Sequence, residues 1–167
     1  MNINATITIV LSEVLYDIRN KTHIDSEVLN RTDDKAFMLA SLMQVSDEDS
    51  TLYYIRRSLV RSYNDLLLIF KEFIEQPMTV KADNQLPTEV EQDGTVLLRL
   101  VLPFNYDRNA LSILSQSIHS YLVNSTIGDW YTSTSKENSE IYLTQAEADK
   151  MQITASLYSR KRPTKLR

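Results

Sequence analysis

Two glycines, Gly94 and Gly128, and four prolines are all that this chain of 167 residues contains. Antiparallel sandwiches and barrels reverse direction every few residues and rely on residues with unusual backbone freedom to do so. A chain this poor in them cannot turn often, so long helices joined by few connections are expected. The length suits one domain with its own core and is too short for two of ordinary size. An apolar share of 43% and a charged share of 24% are ordinary globular values, far from compositions that stay unfolded.

Periodicity places the helices. Ile7, Val10, Leu11, Val14, Leu15 and Ile18 recur at steps of three and four and predict a first helix over about residues 6–20, although its opening residues are β-branched. A polar stretch follows, after which Asp33 or Asp34 serves as N-cap for a short helix through Phe37, Leu39, Leu42 and Met43. Acids between Ser46 and Ser50 mark the start of the longest periodic segment, Leu52, Ile55, Leu59, Tyr63, Leu66, Phe70 and Phe73, which Pro77 stops. Leu111, Leu114, Ile118, Tyr121 and Leu122 predict a further helix from Asp107 to Val123 or Ile127, ended by Gly128 with Trp130 just beyond. Ser135 or Asn138 caps a last helix in which Tyr142, Ala146, Ile153 and Leu157 share a face.

Between Met78 and Pro103 the texture changes. Thr79-Val80-Lys81 and the run Val96 to Leu102 are rich in strand formers, and Asp93-Gly94 is the dipeptide that favours a tight hairpin turn. A β-hairpin centred on that dipeptide is expected. Apart from Arg99, the run 96–102 is apolar on both faces, which a two-stranded ribbon in water does not tolerate. Helices of the same chain or a neighbouring subunit must therefore cover it, and the open edge offers a route by strand addition. On the second option Val96, Leu98, Leu100 and Leu102 form an oligomer interface. The fold class expected is mainly α: a bundle of four to five helices over residues 1–158, with one β-hairpin inserted at about 78–103.

The net charge of −4 is unevenly spread. Residues 159–167 form a basic C-terminal tail with Arg160, Lys161, Arg162, Lys165 and Arg167 and no acid; setting these five charges aside takes the remainder to −9. An acidic body with a basic end fits an acidic partner or a complementary neighbour, so these five residues are candidates for partner binding. A basic terminus that complements a helix dipole is the simpler alternative. Arg56, Arg57 and Arg61 on the long helix are read first as a solvated face or subunit contact, with Arg56 and Arg57 in an oligomer interface, and second as a stripe for nucleic acid.

Chemistry is sparse. The absence of cysteine excludes disulfides, thiolate metal sites and a cysteine nucleophile, and fits a reducing cytoplasm. His23 and His119 lie far apart without a His, Asp or Glu at the spacing that pairs metal ligands on a helix face, so no metal site is expected. Ser117 and Ser120 flank His119 but do not face it across a helix, which argues against a serine nucleophile. No glycine-rich phosphate loop exists, and the acids at 33–34 and 47–49 suit helix N-termini better than calcium. No catalytic residue and no cofactor are expected, and an enzyme built from scattered Asp, Glu and Tyr residues is the least favoured class. The first residues lack the pattern of a signal peptide, and no apolar run approaches the roughly 20 residues that span a bilayer, so neither export nor membrane insertion is expected. Nine tyrosines suit an interaction protein, since tyrosine combines apolar area with a polar tip.

The order of elements, together with the stretch from Ala148 to Lys165 and its Ile153, Leu157, Arg160, Arg162, Pro163 pattern, resembles the small head-to-tail connector, or adaptor ring, proteins of tailed bacteriophages, crAss-like phages included. The resemblance implies a virion component assembled in the host cytoplasm. It implies a ring of identical subunits below the portal, contacts to the portal and to neighbouring tail or ring proteins, DNA passing through the channel, and no catalytic residues. A helical regulatory or nucleic-acid-binding protein is the alternative.

Overall fold

The computed structural model describes residues 2–32, 37–46, 49–75 and 94–161. Within them the chain runs β1 (Ile3–Val10), α1 (Leu11–Thr32), α2 (Phe37–Met43), α3 (Asp49–Phe70), β2 (Thr95–Leu102), α4 (Ala110–Tyr131) and α5 (Lys136–Leu157). The mainly helical class with a single two-stranded antiparallel sheet agrees with the expectation. Both α3 and α5 are where the periodicity puts them, and Ser135 takes the extended backbone that precedes α5.

The sheet differs from the expectation in its pairing. β2 pairs antiparallel with β1, Ile3 opposite Leu102 and Val10 opposite Thr95. Residues 6–10, expected to open the first helix, are strand instead. Thr6, Ile7, Thr8, Ile9 and Val10 are all β-branched, and their stiff side chains suit a pleated surface better than a helical turn. Burial alternates accordingly, with Ile7 and Ile9 inside and Thr6 and Thr8 outside. The expected partner at 79–81 and the turn residue Asp93 lie outside the described residues. Gly94, at φ +63°, adopts the left-handed conformation a side chain disfavours, and its carbonyl accepts the Leu11 N–H at 2.7 Å, joining the start of β2 to the start of α1.

The interface assigned to Val96, Leu98, Leu100 and Leu102 is corrected as well. All four are 1–3% exposed within this one chain because they share the sheet face turned to the core, alternating with outward Leu97 and Arg99. The second edge of β2 is also partly occupied. Val101 N–H bonds to Phe73 O at 2.6 Å and Glu75 N–H to Arg99 O at 3.1 Å, so the chain leaving α3 covers the edge where strand addition was expected.

α1 continues twelve residues past the expected end. Its fully buried positions beyond residue 20 are Thr22 and Ser26, which hydropathy reads as polar. Their hydroxyls donate to the Arg19 and His23 carbonyls of the helix itself, so no donor is stranded. Gly128, expected as a helix stop, lies inside α4, with Trp130 in the same helix. A Cβ there would sit 2.7 Å from Leu143 Cδ2. Glycine therefore serves close approach of α5 to α4, and the buried Ser139 hydroxyl donates to Gly128 O at 2.8 Å in the same contact.

α4 is the central element, packing on α1, α3 and α5, with Leu114, Ile118, Leu122, Val123 and Ile127 at 1% exposure or less. Cross-helix bonds set the directions. Asp17, Lys21 and Asp25 of α1 meet His119, Asn124 and Tyr131, so α1 runs parallel to α4. Tyr54 and Ser62 of α3 meet Asp129 and Ser125, so α3 runs antiparallel to it. One end of the bundle therefore holds the beginning of α3, the end of α4 and the beginning of α5.

Candidate interaction surface

The seven residues of α2, FMLASLM, turn only Ala40 and Met43 into the core. Two turns of helix bury one narrow stripe, so the rest faces water: Phe37 is 73% exposed, Met38 79% and Leu42 59%. The helix is fixed at its end, since Trp130 Nε1–H donates to Met43 O at 2.9 Å and Trp130 stacks edge-on with Tyr54 at 5.5 Å. Gln44, just after α2, donates to Ser26 Oγ at 2.6 Å and ties it to α1. The apolar surface is thus held in place and not an excursion of a loose segment.

The first half of α3 adjoins it through the Tyr54–Trp130–Met43 connection. Tyr53, Arg56 and Arg57 are exposed there, with the Arg57 guanidinium 5.8 Å from the Tyr53 ring centre. Arg61 reaches the Asp129 carboxylate at 3.2 Å, whereas Arg56 and Arg57 form no ion pair among the described residues. Burial, reinforced by Asp129, raises the pKa of Tyr54, so its hydroxyl stays a neutral donor, reaching Asp129 O at 3.3 Å. Tyrosine, methionine and arginine around an apolar centre is the composition enriched at protein interfaces. The sequence pointed to Arg56 and Arg57, and the structure leaves both accessible; the exposure of Phe37 and Met38 was not foreseen.

The tail begins as a structural element. Lys161 N–H bonds to Asn105 O at 2.9 Å and Arg160 bridges to Tyr106. The Arg160 guanidinium donates to Leu157 O at 3.0 Å and Ser159 O at 2.9 Å, serving carbonyls at the end of α5 in the way the dipole reading anticipates. Arg160 is therefore engaged within the chain, Lys161 is exposed, and Arg162, Lys165 and Arg167 lie outside the described residues.

Two polar arrangements join distant segments. His119 Nε2–H donates to Asp17 Oδ2 at 2.7 Å in an open groove of about 310 Å³ that also takes in Ser12, Glu13 and Tyr16. Above it on α1, Lys21 donates to Asn124 Oδ1 at 3.0 Å, and Asn124 donates onward to Asp149 Oδ2 at 2.8 Å. Asp25 accepts the hydroxyls of Tyr131 at 2.9 Å and Tyr142 at 2.8 Å. Burial pushes both tyrosines well above their ordinary range and the Asp25 carboxylate adds to it; burial also raises Asp149, opposed by its Asn124 bond and by Lys21. These bonds fix α1, α4 and α5 against one another. The available sequence signal was the run Asp17, Lys21, Asp25 at four-residue steps; their partners, about a hundred residues away, left no local trace.

Among the described residues no group of three or more His, Asp or Glu could hold a metal ion, and no helix is long and apolar enough to cross a membrane. No family model, curated protein or solved structure matches the chain.

Proposed function

We propose that this protein is a structural virion subunit that forms an oligomeric ring and connects the portal of the head to the tail. The assembly part of this reading is carried by one observation: α2 holds Phe37, Met38 and Leu42 in water on a helix that is bonded in place. Apolar area of this kind marks a protein contact, because removing it from water contributes about 25 cal/mol per Å². The virion part rests on the resemblance in element order and in the segment 148–165. On this reading the partners are copies of the same chain, the portal and adjoining tail or ring proteins, with DNA passing through the channel. The protein works by binding and not by catalysis, and is assembled in the host cytoplasm. Of the tail residues, Arg160 caps the end of α5 within the chain, and Lys161 with Arg162, Lys165 and Arg167 supplies the charge for an acidic surface of the next component.

Light scattering coupled to size exclusion tests this, on the purified chain alone and mixed with a portal protein from the same genome. A mass of several subunits, or a stable portal complex, is expected. A strict monomer that leaves the portal peak unchanged overturns the reading.

The two arginines without ion pairs favour a second reading, a helical regulatory protein that binds nucleic acid through Arg56, Arg57 and the tail. Its signature is affinity that falls linearly in log–log form with salt, in proportion to the phosphates contacted.

A further inference from the structure

We propose that the outer edge of β1 takes up an extended segment of a neighbouring protein as a third strand. The site follows from the strand geometry alone; that its occupant is a different protein rests on the assembly reading above.

The register fixes which backbone groups are free. In an antiparallel pair, alternate residues exchange N–H···O bonds with the facing strand, and the residues between them point their N–H and C=O groups the other way. Leu11 and Gly94 extend the β1–β2 register by one position and are joined by the Leu11 N–H to Gly94 O bond. Counted by twos from that pair, Ile9, Ile7, Ala5 and Ile3 bond to β2, and Asn4, Thr6 and Thr8 turn their N–H and C=O groups outward. The far side of β2 gives the same parity: Arg99 and Val101, opposite Thr6 and Asn4, bond away from β1, to Glu75 and Phe73. The N–H and C=O groups of Asn4, Thr6 and Thr8 therefore line an edge with no main-chain partner among the described residues, and all three side chains are exposed.

The chain treats the two edges of its sheet differently. Phe73 and Glu75 cover the edge of β2, whereas β1, eight residues long, carries no charged residue and no proline, the devices that keep an exposed edge from pairing. Such an edge is a template for strand addition, in which main-chain bonds give affinity and alternate side chains give selectivity. On the core side of β1, Ile7 and Ile9 are buried but Ile3 and Ala5 only half-buried, and Ala5 is the one small residue in that row. A branched apolar side chain set beside Ala5 removes both from water. On the outer side the neighbours are Asn4, Thr6 and Thr8, which pair well with threonine or another uncharged polar residue. The occupant is thus a segment of about five or six residues that alternates apolar with uncharged polar side chains. A second copy meets β1 with its own β1 only about a two-fold axis through the contact, which a ring of copies related by rotation about the ring axis does not have. The segment therefore belongs to an adjoining component.

Amide hydrogen exchange followed by NMR on the full chain, with and without the synthetic peptide KTITVTITK, tests this. In the free chain Ala5, Ile7 and Ile9 should exchange slowly and Thr6 and Thr8 fast, and the peptide should slow Thr6 and Thr8 roughly tenfold or more. Thr6→Pro removes an N–H that β2 does not use, so the fold should persist while peptide binding weakens roughly tenfold. Should proline disturb β1, Thr6→Lys/Thr8→Lys carries the same test, since charge along an edge opposes pairing. Thr6 and Thr8 amides that are already slow in the dilute free chain, or that stay fast at millimolar peptide, overturn the site. Slowing that appears without peptide as protein concentration rises assigns the edge to a second copy and overturns the neighbouring protein as its occupant. A chain that takes up the peptide but neither self-associates nor binds the portal overturns the assembly reading and leaves the site standing; assembly without peptide uptake does the reverse.

Discussion

β2 and α2 are both short and nearly all apolar, VLLRLVL within one and FMLASLM in the other, yet they end in opposite environments. In β2 every second side chain from Val96 to Leu102 is at most 3% exposed, because a pleated strand turns a whole row to one side and helices lie across that side. In α2 the same richness is spread around a cylinder of two turns, of which Ala40 and Met43 touch the core. Apolar content thus measures the need for cover, and the backbone period together with the neighbouring layer decides whether cover comes from within the chain. Of the residues the sequence offered for a subunit contact, the contrast withdraws Val96, Leu98, Leu100 and Leu102, which are buried within the chain, and leaves Arg56 and Arg57 exposed.

The contrast is easiest to break at its buried pole. Leu100→Ala should destabilise the fold by about 2–5 kcal/mol in denaturant titration, since it opens a cavity under both the sheet and the helices; a loss below about 1 kcal/mol would mean that β2 is not packed as described. Gly128→Ala should follow at about 1–3 kcal/mol, through the Leu143 side chain its Cβ would meet. Adding Leu143→Ala should return much of that loss, whereas simple additivity of the two would count against the close contact.

Tyr131→Phe should cost about 1–3 kcal/mol by removing a bond to a carboxylate, and it carries a pH signature. The folded state holds the Tyr131 and Tyr142 hydroxyls protonated beyond the ordinary tyrosine value of about 10. Their contribution is complete below that value and declines as pH rises above it, since the unfolded chain ionises there and the folded one does not. Thermal melts between pH 9 and 11 should show wild type losing stability with rising pH and Tyr131→Phe/Tyr142→Phe losing less. Parallel slopes for the two would show that the pair does not report on this network.

At the exposed pole the effect on folding should nearly vanish. Met38→Ser should change unfolding free energy by no more than about 0.5 kcal/mol while reducing the mass seen by light scattering. A Met38→Ser protein as destabilised as Leu100→Ala would erase the distinction between the two runs and place α2 in the core.

Much of the helical layout was legible along the chain. The α3 stripe from Leu52 to Phe70, the Ser135 boundary and the inward positions of α5 follow from a 3.6-residue period and short-range chemistry. The failures have local causes. Residues 6–10 satisfy a helical spacing and a strand alternation at once, and their β-branching was the better guide. Thr22 and Ser26 hid the second half of α1, because a hydroxyl bonded to its own helix is buried at little penalty although hydropathy counts it as polar. Gly128 reads along the chain as a stop, whereas its role is to let α5 approach α4. Of the interaction surface, Arg56 and Arg57 were legible as an unbalanced charge on a helix, whereas the α2 apolar patch was not, since the same residues would have made an ordinary core stripe had a neighbour covered them.

Scarcity of glycine, side-chain period and apolar content act within a few residues of each other, and from them alone follow the dominance of long helices, the rough place of most of them and the need to cover the run 96–102. Three outcomes emerge only on folding: β1 pairs with β2, Asp17 and Asp25 find His119 and Tyr131 across about a hundred residues, and α2 keeps its apolar side in water. Those outcomes depend on which distant surfaces meet, and pairing between distant segments is set by the packing of the whole chain and not by any property of the segments taken one at a time.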